Sequence, residues 1–107
     1  MTAARRRTRS GMSTPLTPAQ ITTACEKLAG WSFERDALAK TFTFGSFREA
    51  MSFMVRVAFE AEALDHHPEW TNVYNRVAIR LNTHDAGGKV TAKDAELAAK
   101  IEKISWV

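Results

Sequence analysis

The sequence predicts an α+β fold in which three helices cover one face of a four-stranded antiparallel sheet, forming two layers. Three amphipathic segments with helix-start signals, and two segments in which apolar residues alternate with polar ones, occur in the order α-β-β-α-β-β-α. Because each alternating segment carries a turn signal near its centre, it predicts a hairpin of two strands.

Each predicted helix begins after a capping residue whose side chain can accept a hydrogen bond from the first turn. In Thr17-Pro18-Ala19-Gln20, a threonine precedes proline and is followed three residues later by glutamine, while Gly30 marks the end of this helix near Ala29. Ser46-Phe47-Arg48-Glu49 is a second capping box and opens the longest helix, which is expected to run to about Leu64. The third cap is Thr91.

The longest helix carries apolar residues spaced by three or four positions, a pattern typical of a face that packs into the core. The residues predicted to form this face are Phe47, Met51, Met54, Ala58 and Ala61, broadened by Ala50, Val55 and Val57. The corresponding face of the last helix consists of Leu97, Ala98, Ile101 and Ile104.

The two hairpins are predicted over residues 31–44 and 70–83. Arg35-Asp36-Ala37 indicates the first turn, and Asn75, which tolerates a left-handed backbone, indicates the second. Pro68 disfavours helical geometry in the residue before it, so the preceding helix is expected to end by His66.

The 107 residues fit one domain, and the net charge of +3 comes from the N-terminus. Residues 1–11 carry four arginines and no acid, so residues 12–107 have a net charge of −1 and no nucleic-acid-binding face is predicted. We interpret residues 1–14 as a disordered extension before a domain over residues 15–107. Translation from Met12, a transit peptide and a nucleic-acid-binding arm remain alternatives.

Deleting residues 1–11 should leave the fold and any activity intact, because this segment has no apolar periodicity that a core would bury. Circular dichroism and a melting curve of the truncated chain test this. A fall of several degrees in melting temperature would contradict it.

A single cysteine, Cys25, rules out an internal disulfide and favours a reducing compartment, so we expect a cytoplasmic protein. Cys25 lies among apolar residues of the first helix, which favours a packing role over a nucleophilic one. No apolar stretch approaches the roughly 20 residues of a membrane span, and no membrane partner is expected.

Residues capable of acid–base chemistry concentrate at and after the end of the longest helix. The set consists of Glu62, Asp65, His66, His67 and His84, and it includes all three histidines of the chain. Glu62 and His66 are four residues apart, so a continuing helix would pair them. The adjacent histidines should diverge, and His84 should project from a strand end. These could instead be ordinary polar residues, and a zinc site is disfavoured by the His-His adjacency and the lack of an HExxH motif.

The run Glu62-x3-His66-His67-Pro68-x5-Tyr74-x9-His84-x9-Asp94 resembles the signature of the pterin-4a-carbinolamine dehydratases. Gly30-Trp31, His66-His67-Pro68-Glu69-Trp70 and Leu81-x-Thr83-His84 are also similar to this family, and the resemblance covers roughly residues 15–105.

The resemblance implies a 4a-hydroxytetrahydrobiopterin dehydratase, a hydro-lyase that converts the carbinolamine released by aromatic amino acid hydroxylases into quinonoid dihydropterin. It implies a homodimer or homotetramer without a cofactor. His66, His67 and His84 would line the pterin pocket, with His66 and His84 as proton carriers and Glu62 as their polar partner. The weaker candidates for shaping the pocket are Asp65, Trp31 and Asp94.

Imidazoles suit this reaction, because loss of water requires one proton delivered to the leaving hydroxyl and one removed from the neighbouring ring nitrogen. Two other interpretations remain open. The fold could serve as a non-catalytic dimerisation module for a transcription factor, although such a scaffold would not need the acid–base set. It could also act on another pterin, near molybdopterin metabolism.

Overall fold

The computed structural model describes residues 14–106, and it confirms the predicted order of elements. The elements are α1 (Pro18–Lys27), β1 (Ser32–Glu34), β2 (Ala37–Thr43), α2 (Phe47–Leu64), β3 (Glu69–Val73), β4 (Arg76–Leu81) and α3 (Ala92–Lys103), with a 3₁₀ turn over His84–Ala86. Apart from Thr14, the predicted N-terminal extension lies outside the described residues. Within the described part of the chain, no helix is long and apolar enough to cross a membrane.

The predicted N-cap residues are confirmed at all three helices, but the capping box predicted at Ser46 is not formed, because the Glu49 side chain accepts from the Gly45 amide instead. Thr17 and Thr91 each form a capping box, with Gln20 and Asp94 respectively as the reciprocal side chain. Ser46 accepts a hydrogen bond from the Glu49 amide at 3.1 Å. Each cap satisfies amides of the first turn that have no partner inside the helix.

The four strands form one antiparallel sheet in the order β1-β2-β4-β3. In β4 the buried residues Val77, Ile79 and Leu81 alternate with exposed or half-buried ones, so one face of the sheet meets the helices and the other faces outward. Leu81 ends β4 beside Leu38 of β2. The segment that follows contains His84 and leads through the 3₁₀ turn to α3.

The two hairpin turns differ in backbone geometry. Arg35 and Asp36 both have positive φ, at 47° and 60°, which matches the right-handed twist of a two-residue hairpin. In the second turn, Tyr74 rather than Asn75 is left-handed, with φ of 54°. The tight turn predicted at Asn75 is confirmed, but Asn75 is not its left-handed residue. Its side-chain amide donates to the Phe44 carbonyl at 2.8 Å and ties the turn to the end of β2.

The buried face of α2 is rotated from the predicted one. Its buried residues are Ala50, Phe53, Val57 and Ala61, whereas Phe47, Val55 and Ala58 are exposed. The helix is apolar on two faces, so periodicity alone cannot select between them. Phe53 selects the inner face, because its ring packs 4.8 Å from Phe42 and 4.9 Å from Phe44, as measured between centroids.

Candidate active site

At the end of α2, the adjacent residues His66 and His67 have different hydrogen-bond partners. Asp65 adopts a left-handed backbone (φ 52°, ψ 43°) and its amide caps the helix by donating to carbonyls of Ala61 and Glu62. The chain therefore leaves the helix before His66, and the predicted pairing of Glu62 with His66 is not formed. Glu62 Oε1 instead lies 3.0 Å from His67 Nε2. Both side chains are largely exposed, so this pair contributes little to stability.

His66 pairs with a buried carboxylate that is distant in sequence. Its Nε2 lies 2.5 Å from Oδ1 of Asp94, and only 7% of His66 and none of Asp94 is exposed. Asp94 stands in the first turn of α3, where its acceptance of the Thr91 amide at 2.8 Å completes the capping box. One carboxylate thus caps a helix and holds an imidazole.

Two threonine hydroxyls complete this buried cluster. The Thr83 hydroxyl donates to Asp94 Oδ2 at 2.8 Å and lies 2.6 Å from the Thr91 hydroxyl. Thr83 lies two residues after the end of β4, and Thr91 immediately precedes α3. The cluster therefore fixes the end of the sheet, the start of α3 and the ring of His66 in one hydrogen-bonded unit.

All three histidines line one cleft of about 240 Å³. Its lining residues are Asp65, His66, His67, Asn82, Thr83, His84, Asp85 and Lys93. His84 reaches the cleft from the 3₁₀ turn after β4, and its side chain is exposed. The cleft thus combines one buried, positioned imidazole with two accessible ones, an arrangement able to move protons to and from a bound molecule.

Three of the residues predicted for the site do not line this cleft. Glu62 is exposed beside His67 and does not line the cleft, and Asp94 lies behind His66. Trp31 is buried in the core, where its indole nitrogen donates to Glu102 at 2.7 Å. It borders a separate, larger cavity of about 710 Å³ together with Cys25.

The sequence prediction did not single out Asn82, Asp85 or Lys93, although all three line the cleft. Each is adjacent in the chain to a residue that was recognised, namely Thr83, His84 or Asp94. Position next to these residues was therefore the only feature of the sequence that could have indicated them as lining residues. Cys25 is half-buried, and burial raises the pKa of its thiol, which favours the neutral form expected of a packing residue.

No three His, Cys, Asp or Glu side chains within residues 14–106 come together in an arrangement that could hold a metal ion. Metal independence remains a prediction: activity should survive exhaustive chelation, and elemental analysis should find no stoichiometric zinc. Zinc that is stoichiometric, and whose removal abolishes activity, would contradict it.

The family model for pterin 4 alpha carbinolamine dehydratase matches residues 14–104, which include the whole cleft and the buried cluster behind it. The chain belongs to the pterin-4a-carbinolamine dehydratase family. A protein of Opitutus terrae that carries this family name is 72% identical over 96 residues, covering 90% of this chain and 99% of the relative. A family member from Solibacter usitatus is 45% identical over 94 residues, covering 88% and 98% of the two chains.

A solved structure supports the same assignment to the dehydratase family. The crystal structure of a transcriptional coactivator/pterin dehydratase from Brucella melitensis matches with a TM-score of 0.83 and 39% identity, covering 87% of this chain and all of that one. A pterin dehydratase-like protein, described as a RuBisCO assembly factor in the alpha-carboxysome, matches with a TM-score of 0.57 and 22% identity over 70% of this chain. The latter likeness concerns the fold alone.

Proposed function

We propose that this protein dehydrates 4a-hydroxytetrahydropterins to quinonoid dihydropterins, which returns the pterin to the pool after aromatic amino acid hydroxylation. The observation that carries the proposal is the convergence of His66, His67 and His84 on one cleft, in a chain that matches the dehydratase family over residues 14–104.

The reaction requires two proton transfers and no change of oxidation state. The bond between C4a and its hydroxyl oxygen breaks, and the hydroxyl leaves as water after receiving a proton. The lone pair of N5 forms the C4a–N5 double bond, and N5 loses its proton. An imidazole can perform either transfer near neutral pH, so two imidazoles in one cleft suffice.

His66 and His84 are assigned these transfers. They reach the cleft from different elements, the end of α2 and the 3₁₀ turn after β4, so they can approach a bound ring from different directions. Either histidine could then protonate the leaving hydroxyl, depending on which of the two rings the hydroxyl faces. General acid–base catalysis of this kind contributes about 10²–10⁴ in rate.

His67 is assigned to substrate binding. Its ring is held by Glu62 at 3.0 Å and is largely exposed, so it forms a wall of the cleft rather than a buried proton carrier. Asp65, whose left-handed backbone redirects the chain, lines the cleft beside it and is assigned the same role. Glu62 then acts through His67, by fixing the orientation of its ring.

A titration with a stable 7,8-dihydropterin tests which cavity receives the pterin. The carbon–proton correlations of the three histidine rings should shift together with one dissociation constant, while the indole signal of Trp31 should stay in place. Shifts confined to Trp31 would instead place the pterin in the 710 Å³ cavity and contradict the assignment.

We also propose that the protein forms a homodimer or homotetramer through the outer face of α2. Phe47, Val55 and Phe59 lie on this face and are 46%, 54% and 72% exposed. Val55 follows Phe47 by eight residues and Phe59 follows Val55 by four, so the three side chains form an apolar stripe along one side of the helix. Exposing this stripe to water is unfavourable. A second copy presenting the same stripe would cover it symmetrically.

Phe59→Asp should lower the oligomeric state, because it places a charge at the most exposed apolar residue of the proposed interface. Light scattering coupled to size-exclusion chromatography measures the mass of each species. Thr23→Asp, an equally polar change on exposed α1, is the matched control and should leave the mass unchanged. A wild-type protein that is monomeric at micromolar concentration would overturn the interface.

A further inference from the structure

The donors and acceptors of the buried cluster can be assigned one by one. A carboxylate can only accept hydrogen bonds, so the Thr83 hydroxyl donates its proton to Asp94 Oδ2. The close contact between the two threonine hydroxyls therefore requires Thr91 to donate to Thr83. Thr91 in turn accepts from the Lys93 amide at 3.3 Å. Every hydroxyl proton in the cluster thus has a determined direction.

The two carboxylate oxygens of Asp94 have different partners. Oδ2 accepts from two donors, the Thr83 hydroxyl and the Thr91 amide, both at 2.8 Å, so this oxygen carries no proton. Its Oδ1 is left facing His66 Nε2 at 2.5 Å. As a carboxylate oxygen, Oδ1 accepts from this nitrogen, so the geometry assigns the proton to Nε2.

We infer that Asp94 is a positioning residue that holds neutral His66 as the Nε2–H tautomer, with Nδ1 as its bare, proton-accepting nitrogen. His66 lines the cleft, while its Nε2 is committed to the cluster behind it. The imidazole can then exchange a proton with a ligand only through Nδ1. For a hydroxyl presented to exposed His84, His66 is therefore the base at the start of the reaction, and His84 supplies the proton to the leaving hydroxyl.

The assignment of His66 as base rests on the proposed function, whereas the tautomer itself does not. Long-range nitrogen–proton correlation spectra of histidine-labelled wild-type protein, without any pterin, report which ring nitrogens carry protons. For His66 we expect a protonated Nε2 and a bare Nδ1 at a pH where the ring is neutral. A protonated Nδ1 with a bare Nε2 would overturn the inference, because it would mean that Asp94 holds the proton.

Asp94→Asn provides the matched change. Its side-chain oxygen is required by the Thr83 hydroxyl and the Thr91 amide, so its NH₂ group faces His66 and donates to Nε2. The ring should switch to the Nδ1–H tautomer, and kcat should fall about 10²-fold or more with KM little changed. Retention of the Nε2–H tautomer in the folded variant would contradict the inference.

Thr83→Val is the control for a purely structural effect. It removes one donor from the same carboxylate but leaves Asp94 Oδ1 as the acceptor for His66, so the Nε2–H tautomer should persist. A tautomer switch in this variant too would show that any disturbance of the cluster suffices, and would remove the specific role of Asp94. Wild-type protein with the expected tautomer but without dehydratase activity would refute the proposed function alone.

Discussion

His66→Ala combined with His84→Ala should reduce carbinolamine dehydration to nearly the spontaneous rate. The two rings line one cleft from different elements, and each can carry a proton to or from the same bound molecule. Each single variant should therefore retain part of the activity, since the other imidazole remains. The combined loss should reach about 10²–10⁴, the usual range for general acid–base catalysis.

The single variants are not equivalent in stability. His66 is buried and bonded to Asp94, so His66→Ala removes a donor from a buried carboxylate and should cost about 1–3 kcal/mol. His84 is exposed and its removal should cost little. Rates are therefore to be compared well below the melting temperature of the double variant. His67→Ala is the control within the cleft, because it should mainly weaken pterin binding. Near-wild-type turnover by the folded double variant would refute this mechanism.

Asp94→Ala should be the most destabilising single change in the described part of the chain outside the apolar core. It removes the cap of α3, worth about 1 kcal/mol, and strands the buried donors of Thr83, Thr91 and His66, at about 1–3 kcal/mol for such groups. A loss of about 2–4 kcal/mol lowers the melting temperature of a domain this small by roughly 10 °C or more.

Denaturant-induced unfolding measures this loss in the free energy of unfolding. All variants are compared at one protein concentration, because association through α2 would make the denaturation midpoint depend on concentration. Glu96→Ala is the matched control, because Glu96 is exposed and lies two residues after Asp94 in α3. This change should alter the free energy of unfolding by less than about 0.5 kcal/mol. An Asp94→Ala protein as stable as the control would show that the cluster contributes nothing to folding.

The elements that could be predicted from the sequence are those fixed by local chemistry. Thr17, Ser46 and Thr91 cap helices through hydrogen bonds to residues within four positions in the chain. The placement of Val77, Ile79 and Leu81 at every second position predicts a strand with one buried face. Each local preference agrees with the final fold. The order of elements and the sheet architecture follow from these signals.

The features that could not be predicted depend on contacts between distant residues or on one backbone angle. Asp94 and His66 are 28 residues apart, and their pairing requires β4 and α3 to be in place. The left-handed Asp65 breaks the helical spacing that would have paired Glu62 with His66. The rotation of α2 was decided by the packing of Phe53 against two aromatic rings of β2 and its end.

The central claim is that this cleft dehydrates a 4a-hydroxytetrahydropterin. A stopped-flow experiment, in which the carbinolamine is generated and mixed with the purified full chain, measures the appearance of the quinonoid dihydropterin directly. We predict a rate that rises in proportion to enzyme concentration above the spontaneous rate, and that no longer does so when the His66→Ala/His84→Ala variant replaces the wild type. A rate independent of wild-type enzyme concentration, equal to that of the buffer control, would contradict the claim.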